Sequence, residues 1–175
     1  MTTDALKAAL SHLEIDENPV SVRAKSRDFF WYSPVLKARM DHLSADFVVS
    51  PRSEAEVIEV LREAHRLNVP VTVRGAGTGN YGQAMPMRGG VILHMRHMTA
   101  VKEIHPGRVI AEPGCIVRDL DAATRAHSGQ ELRMHPSTYT TATIGGFIGG
   151  GSGGIGSCTW GVLRDVGNIL RLRVV

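Results

Sequence analysis

The chain has few cysteines, few aromatic residues and no long apolar run. Only 2 of its 175 residues are cysteine and 5% are aromatic. Cys115 and Cys158 show no CxxC or Cys/His spacing, so we expect both to be reduced and structural. No stretch approaches the roughly 18 apolar residues of a membrane-spanning helix. Asp4 also interrupts the first residues, which therefore lack a signal-peptide pattern. We predict a soluble cytoplasmic protein.

Charge of neither sign dominates the sequence. Lys and Arg number 20 and Asp and Glu 17, which gives a formal net charge of +3. The positive residues are scattered rather than gathered in one run, so the charge pattern gives no support to nucleic-acid binding. The apolar fraction of 43% is enough for the core of a domain of ordinary size and argues against intrinsic disorder.

Glycine is absent from the first 74 residues and then concentrated in two places. Four of the 19 glycines fall in residues 75–82 and eight in residues 145–156. Such clusters indicate main chain that needs positive φ or a close approach to another group. We call residues 74–83 the first glycine segment and residues 136–157 the second glycine segment.

The patterns before and between these segments predict both strands and helices. An apolar strand at 47–49 is followed by the capping-box sequence Ser53–Glu56, which predicts the start of a helix. Asn68 is expected to close that helix, and residues 69–73 form a β-branched strand. Strand, helix and strand make a compact βαβ unit, which predicts that its two strands are parallel.

The second half of the chain predicts further elements of both kinds. Residues 91–95 form a strand, and residues 101–104 and 109–112 form a hairpin. Helical periodicity returns over residues 116–126. Residues 168–175 alternate like a strand, so the chain is expected to stop inside or just after a strand.

The first glycine segment contains a GxGxxG pattern, Gly77 to Gly82, directly after a strand. In a Rossmann site the third glycine would open a helix, and an acid about 20 residues later would bind the ribose. Here Pro86 follows, and no Asp or Glu lies between Arg74 and Glu103. We therefore expect successive amides that hold a pyrophosphate without a long helix. A tight turn that binds nothing is the alternative.

The second glycine segment begins with six hydroxyl residues between 137 and 143. Each interior glycine costs a helix about 1 kcal/mol relative to alanine, so the run is too glycine-rich for a stable isolated helix. Bulky residues such as Phe147 and Ile155 argue against a flexible linker. We expect ordered main chain against a flat or anionic ligand, with the hydroxyls as donors. Close packing of main chain on main chain is the alternative.

Several short motifs occur in a fixed order along residues 46–175. They are Pro70–Gly79, Gly89–Leu93, Glu112–Gly114, Pro136–Ser137, Thr143–Gly146 and Trp160–Gly161. In order and spacing they resemble the FAD-binding domain of the FAD-linked oxidases, of the vanillyl-alcohol oxidase and p-cresol methylhydroxylase type. Within that family the sequence is most similar to the group of the glycolate oxidase D-subunit and D-lactate dehydrogenase.

The resemblance implies an α+β fold with two lobes and FAD lying extended between them. One lobe, at about residues 46–100, is a small parallel βαβ lobe. The other, at about residues 101–175, is mainly antiparallel and is expected to be incomplete at its C-terminus. Residues 1–45 would form an N-terminal helix, over residues 3–13, and an aromatic arm, over residues 18–42. The arm's aromatic residues, Phe29–Tyr32, could pack on the domain or on a partner.

The resemblance also implies which residues contact the cofactor. Those residues are Arg74, Gly75, Ala76, Gly77, Thr78, Gly79, Asn80, Gln83, Pro113, Gly114, Pro136, Ser137, Thr138, Thr143, Ile144, Gly145, Gly146, Gly150, Gly153, Gly154 and Ser157. Some relatives attach the flavin covalently through a histidine in the first loop. The matching position here is Thr78, which implies noncovalent FAD. No metal ion is expected.

The activity implied is hydride transfer from a small 2-hydroxy acid, such as glycolate or D-lactate, to the flavin. Other oxidase subunits are candidate partners. We assign no catalytic residue, because His94, His97, His105 and His135 match no motif of the family. His94 and His97 have loose metal-like spacing but lack nearby acids, so we expect ordinary core or surface histidines.

The resemblance implies a substrate-covering domain, and we expect this chain to lack it beyond Val175. The second hypothesis is therefore a truncated, catalytically inactive flavin-binding or interaction module. A general nucleotide or nucleic-acid binder is a third.

Overall fold

A computed structural model of the chain describes residues 2–29, 33–165 and 167–175. The chain divides into two compact units, Met1–His97 and Met98–Val175. Each unit is described separately below.

The first unit is built on a four-stranded sheet. Its strands are β1 (Ile15–Asp16), β2 (Phe47–Val49), β3 (Val71–Arg74) and β4 (Val91–His94), in the order β1-β2-β4-β3. β1 is antiparallel to β2, whereas β4 is parallel to both β2 and β3. The prediction that β2 and β3 are parallel is confirmed, but β4 lies between them.

The central position of β4 follows from its composition. Val91, Ile92 and Leu93 are at most 1% exposed, as expected for a strand covered on both faces. β2 is buried along its whole length, whereas Val73 of the edge strand β3 is 57% exposed. The most apolar run of the first unit therefore forms the middle of its sheet.

Helix α4 (Glu54–Arg66) begins and ends where the sequence predicts. The Ser53 Oγ accepts a hydrogen bond from the Glu56 amide at 3.3 Å. The Glu56 carboxylate accepts from the amide of Arg52 at 2.8 Å, one residue before the cap. Asn68 adopts a φ of +52° and so ends the helical path.

The N-terminal arm contains two helices that periodicity did not reveal. They are α2 (Pro19–Lys25) and α3 (Pro34–Met40), and α1 (Thr2–Ala9) precedes them. Both start with proline directly after a capping side chain, Asn18 or Ser33. The Asn-Pro and Ser-Pro pairs were the available signal, because proline fits the first position of a helix. Of the aromatic cluster, only Phe29 lies among the described residues.

The second unit begins with the predicted hairpin, formed by β5 (Val101–His105) and β6 (Arg108–Ala111). Three helices follow, namely α5 (Val117–Ser128), α6 (Ile144–Gly150) and α7 (Ser157–Trp160). A small core of Met134, Phe147 and Leu163 lies beside α6. None of the described helices in either unit is long and apolar enough to cross a membrane.

The prediction of a strand at residues 168–175 is wrong. These residues have no strand partner within the described part of the chain, and Leu170, Leu172 and Val174 are 60–83% exposed. Alternation predicts which faces a strand would show, but a strand forms only where another main chain completes its hydrogen bonds.

Adjacent glycines before β4 allow a test of close main-chain packing. Gly89 and Gly90 both have positive φ, at +67° and +77°. A Cβ at Gly90 would collide with the Pro70 carbonyl oxygen, whereas one at Gly89 would lie 3.6 Å from its nearest neighbour. We predict that G89A lowers the free energy of unfolding by roughly 1–2 kcal/mol and G90A by about 3 kcal/mol or more. Urea unfolding followed by circular dichroism checks this, and equal losses would contradict it.

Candidate functional site

The first glycine segment rests on the buried side chain of Arg74. Arg74 is only 9% exposed, and its Nη1 donates a hydrogen bond to the Arg27 carbonyl at 2.6 Å. The guanidinium occupies the space where a Cβ at Gly77 would lie, and Gly77 has a φ of +71°. The main-chain conformation favours glycine at residue 77, and a side chain there would have to displace the Arg74 guanidinium.

Arg74 supplies a positive charge beneath the segment. Burial lowers the pKa of Arg74, and the nearby Asp28 carboxylate opposes that effect. The guanidinium stays protonated at neutral pH because its ordinary pKa is so high. His94, its partner on β4, has a pKa lowered to about 4 by burial and then by Arg74, so this histidine is neutral at pH 7.

Two further hydrogen bonds fix the rest of the first glycine segment, one from the N-terminal arm and one within the segment. The Gly79 carbonyl accepts from the Phe29 amide at 2.7 Å, and the Gln83 Oε1 accepts from the Tyr81 amide at 2.9 Å. Asn80 is exposed. No helix follows the segment, as the sequence predicts. The structure thus shows a constrained turn with an exposed polar side chain and no helix N-terminus.

The second glycine segment contains the short helix α6. Thr143 caps it, since its Oγ1 accepts from the Gly146 amide at 3.2 Å. Phe147 is 4% exposed and anchors the helix in the core. Four of the seven residues of α6 are glycine, so packing through Phe147 replaces the stability that an isolated helix would lack.

The start of α6 lies against residues 113–115. The Gly145 amide donates to the Pro113 carbonyl at 2.9 Å, and the Ile144 amide donates to the Cys115 carbonyl at 2.8 Å. These bonds bring the predicted motif around Pro113 into contact with the predicted motif around Gly145, about 30 residues later in the sequence.

Two kinds of glycine in the second segment differ in what surrounds them. A Cβ at Gly145 would lie 2.8 Å from the Pro113 carbonyl oxygen, and one at Gly154 or Gly156 would also collide with a carbonyl oxygen. A Cβ at Gly149 or Gly150 would meet nothing within 4 Å. Close packing of main chain accounts for the first kind, whereas the second kind faces open space.

The buried carboxylate of Asp121 holds the hydroxyl-rich part of the segment. It accepts hydrogen bonds from Arg125 Nε at 2.8 Å, the Leu132 amide at 2.8 Å and the Tyr139 hydroxyl at 2.9 Å. Burial by itself would raise the pKa of Asp121, but these hydrogen bonds outweigh it and lower the pKa. Sequence reasoning missed Asp121, whose available signal was the i,i+4 pair with Arg125.

The same part of the segment caps helix α5. Ile116, at the cap position, makes no side-chain hydrogen bond. Instead, the Val117 amide donates to the Ala142 carbonyl at 3.0 Å and the Arg118 amide to the Tyr139 carbonyl at 3.1 Å. These bonds satisfy helix amides that would otherwise lack partners. Ser137 at the start of the segment is exposed.

The expectation that no acid lies near His94 and His97 is wrong. The His97 Nε2 lies 2.9 Å from the Glu14 carboxylate, which also pairs with Arg52 and Arg96. Sequence inspection missed Glu14 because 83 residues separate it from His97. Among the described residues, no three His, Cys, Asp or Glu side chains are grouped to hold a metal ion.

Both cysteines are free thiols, as expected, but their surroundings differ. Cys115 is buried and Cys158 is exposed. Burial raises the pKa of the Cys115 thiol, so it stays protonated at neutral pH. Only Cys115 has the burial expected of a structural cysteine.

Comparison of the sequence with known families gives one decisive match. The model of the family described as "FAD binding domain" matches residues 45–175. The chain belongs to this FAD binding domain family. The resemblance inferred from the short motifs is thereby confirmed.

Curated relatives narrow the position within the FAD binding domain family. The chain is 34% identical over 132 residues to the glycolate oxidase subunit GlcD of Bacillus subtilis, a match covering 74% of this chain and 27% of that protein. It is 35% identical over 119 residues to the D-lactate dehydrogenase of Archaeoglobus fulgidus, covering 67% and 26%. The chain thus spans about a quarter of the length of these relatives.

Solved structures confirm the fold. An alkyldihydroxyacetonephosphate synthase matches with a TM-score of 0.77 and 22% identity, covering 94% of this chain and 31% of that one. A p-cresol methylhydroxylase matches with a TM-score of 0.67 and 14% identity, covering 84% and 28%. The predicted α+β fold of p-cresol methylhydroxylase type is therefore confirmed.

The Asp121 cluster predicts a pH-dependent contribution to stability. At neutral pH we expect D121N to lower the free energy of unfolding by about 1–3 kcal/mol, because a buried charged acceptor is lost. The folded-state pKa lies below the ordinary value of 3.8, so the carboxylate stabilises the fold above that pH. Its contribution is lost as the pH falls through the folded-state pKa.

Urea unfolding of wild type and D121N from pH 7 to pH 2 measures this difference. D119N is the matched control, because Asp119 is on the same helix but its side chain is 54% exposed. A difference between wild type and D121N that stays constant with pH would contradict the assignment.

Proposed function

We propose that the chain binds FAD noncovalently through both glycine segments and residues 113–114. The contacting residues are those named for the cofactor in the sequence analysis. The observation that carries the proposal is the open main chain at Gly150, in a segment where Gly145, Gly154 and Gly156 are used for packing. In this reading the chain is the cofactor-binding part of a flavin-dependent oxidoreductase.

The first glycine segment has chemistry that suits a pyrophosphate. The glycines of the segment are only partly buried, and Asn80 adds an exposed side-chain amide. The charge on Arg74 beneath them favours an anion, and its burial reduces the screening of that charge. Thr78 offers a hydroxyl donor where some family members carry a flavin-linking histidine. A hydroxyl cannot form that bond, which supports noncovalent attachment.

The second glycine segment suits a flat group lying on the main chain. Gly150 exposes main chain with no side chain above it. Ser137 is exposed and can donate a hydrogen bond, whereas the Ser157 Oγ already donates to the Gly154 carbonyl at 2.8 Å. Residues such as Gly145 and Gly154 are packed on main chain, so we expect them to shape the site.

The proposed substrate is a small 2-hydroxy acid of the glycolate or D-lactate type. Support comes from the names of two relatives, a glycolate oxidase subunit and a D-lactate dehydrogenase. Bound FAD would accept the hydride from the carbon that bears the hydroxyl. The hydroxyl proton would pass to a base, and the product would be a 2-oxo acid. We assign that base to no residue of this chain.

A flavin-binding or interaction module without turnover is the second candidate. It is favoured by the four histidines considered as bases, none of which lies in a family motif. His94, moreover, is neutral and half-buried, and His97 is paired with Glu14.

Alanine at Gly150 separates binding from folding. Gly150 lies in a helix with nothing within 4 Å of an added Cβ. G150A should therefore leave the free energy of unfolding unchanged or raise it by up to about 1 kcal/mol. We predict that it weakens FAD binding roughly tenfold, about 1.4 kcal/mol. Titration followed by flavin fluorescence measures the affinity.

G149A is the matched control, because Gly149 is equally open but is not among the predicted contacts. Successive helix residues point about 100° apart, so G149A should bind FAD like wild type.

Acid precipitation of the wild-type complex should leave the flavin in the supernatant. Failure of wild type to bind FAD, or flavin that precipitates with the protein, would contradict the proposal.

Anaerobic addition of substrate tests the reaction class. If the chain supports hydride transfer, glycolate or D-lactate should bleach the visible absorbance of the bound flavin, while acetate, which lacks the hydroxyl, should not. A chain that binds FAD but shows no bleaching with either hydroxy acid would favour the second candidate.

A further inference from the structure

Residues 27–29 lie outside the family-matched range yet contact the first glycine segment at two points. The Arg27 carbonyl accepts from Arg74 Nη1 at 2.6 Å, and the Phe29 amide donates to the Gly79 carbonyl at 2.7 Å. The family match begins at residue 45. The shape of the first glycine segment therefore depends on main chain outside the family-matched range.

This tripeptide is itself firmly held in the first unit. Ser26, directly before it, is fully buried, and Asp28 is only 4% exposed. The Ser26 Oγ donates to the Val22 carbonyl at 2.8 Å and accepts from the Ala45 amide at 2.9 Å. Residues 27–29 are thus attached to the first unit through the buried residues Ser26 and Asp28.

A third contact of the arm lies at the other end of the segment. Met40 packs with Met85, and a Cβ at Gly82 would collide with the Met40 Cε. The arm therefore touches the segment near its beginning, at its middle and near its end.

The contact at Gly79 has a consequence for ligand binding. In a planar trans peptide the C=O and the following N–H point in opposite directions, and no described peptide bond is cis. Because the Gly79 carbonyl points to the Phe29 amide, the Asn80 N–H points away from that amide. Asn80 is an exposed residue, and we infer that its N–H is the one that an anion approaches.

We propose that residues 27–29 are a positioning segment for the FAD pyrophosphate. The Phe29 amide orients the Asn80 N–H, and the Arg27 carbonyl holds the Arg74 charge beneath Gly77. The proposal rests on the proposed function, and it adds that FAD affinity depends on residues outside the family-matched domain.

The test is a pair of substitutions at Phe29 in the full 175-residue chain. F29P removes the donor N–H, and F29A keeps it. Asp28 lies outside the helices and strands, so a proline at residue 29 interrupts no regular element. We expect F29P to bind FAD roughly tenfold more weakly than wild type and F29A to bind within about twofold, with affinities measured by flavin fluorescence. Equal affinities of F29P and F29A overturn the proposal.

Hydrogen exchange in the wild-type chain gives a readout that does not depend on the folding of F29P. Exchange of the Phe29 amide, followed by NMR, should slow by more than about tenfold at saturating FAD, because binding stabilises the closed hydrogen bond. The Leu13 amide, which donates to the Leu10 carbonyl elsewhere in the first unit, is the control and should not change. Identical responses of both amides overturn the proposal.

The outcomes separate this inference from the proposed function. A wild-type chain that binds no FAD overturns both. A wild-type chain that binds FAD, with an unresponsive Phe29 amide and equal affinities of the two variants, overturns only the role of residues 27–29.

Discussion

The buried guanidinium of Arg74 is the interaction on which the first unit's candidate site depends. It ends strand β3, donates to the Arg27 carbonyl and occupies the space beside Gly77. Leaving a buried charge without its partners costs several kcal/mol, so these contacts act as one constraint. The position of Arg27 in the arm and the conformation at Gly77 are linked through this one guanidinium.

The second unit fixes its part of the site by other means. Asp121, which is almost fully buried, collects hydrogen bonds from α5, from Leu132 and from Tyr139, and thereby ties the hydroxyl-rich residues to a helix. Main-chain packing at Gly145 ties the start of α6 to Pro113. A buried cation shapes one glycine segment, and a buried anion and close main-chain contacts shape the other.

Local signals in the sequence predicted several of the elements but not their distant partners. They missed α2 and α3, and they wrongly predicted a strand at residues 168–175. The cap at Ser53, the parallel strands β2 and β3 and the hairpin each depend on a few neighbouring residues, and the structure contains them. The pairing of Glu14 with His97 joins residues 83 positions apart, and β4 lies between β2 and β3 although it follows both. No local pattern encodes such pairings. The site residues were predicted by family resemblance, which marks positions without giving their contacts.

The high glycine content is explained only when the surroundings of each glycine are compared. At Gly154 the fold itself requires glycine, because a side chain would collide with the His135 carbonyl. At Gly150 the fold gains nothing, since alanine would fit and would favour the helix by up to about 1 kcal/mol. A glycine that costs stability and relieves no collision within the chain needs a cause outside the chain. The FAD that we propose binds there is such a cause, and it accounts for the glycine at residue 150, where an added Cβ would meet nothing within 4 Å.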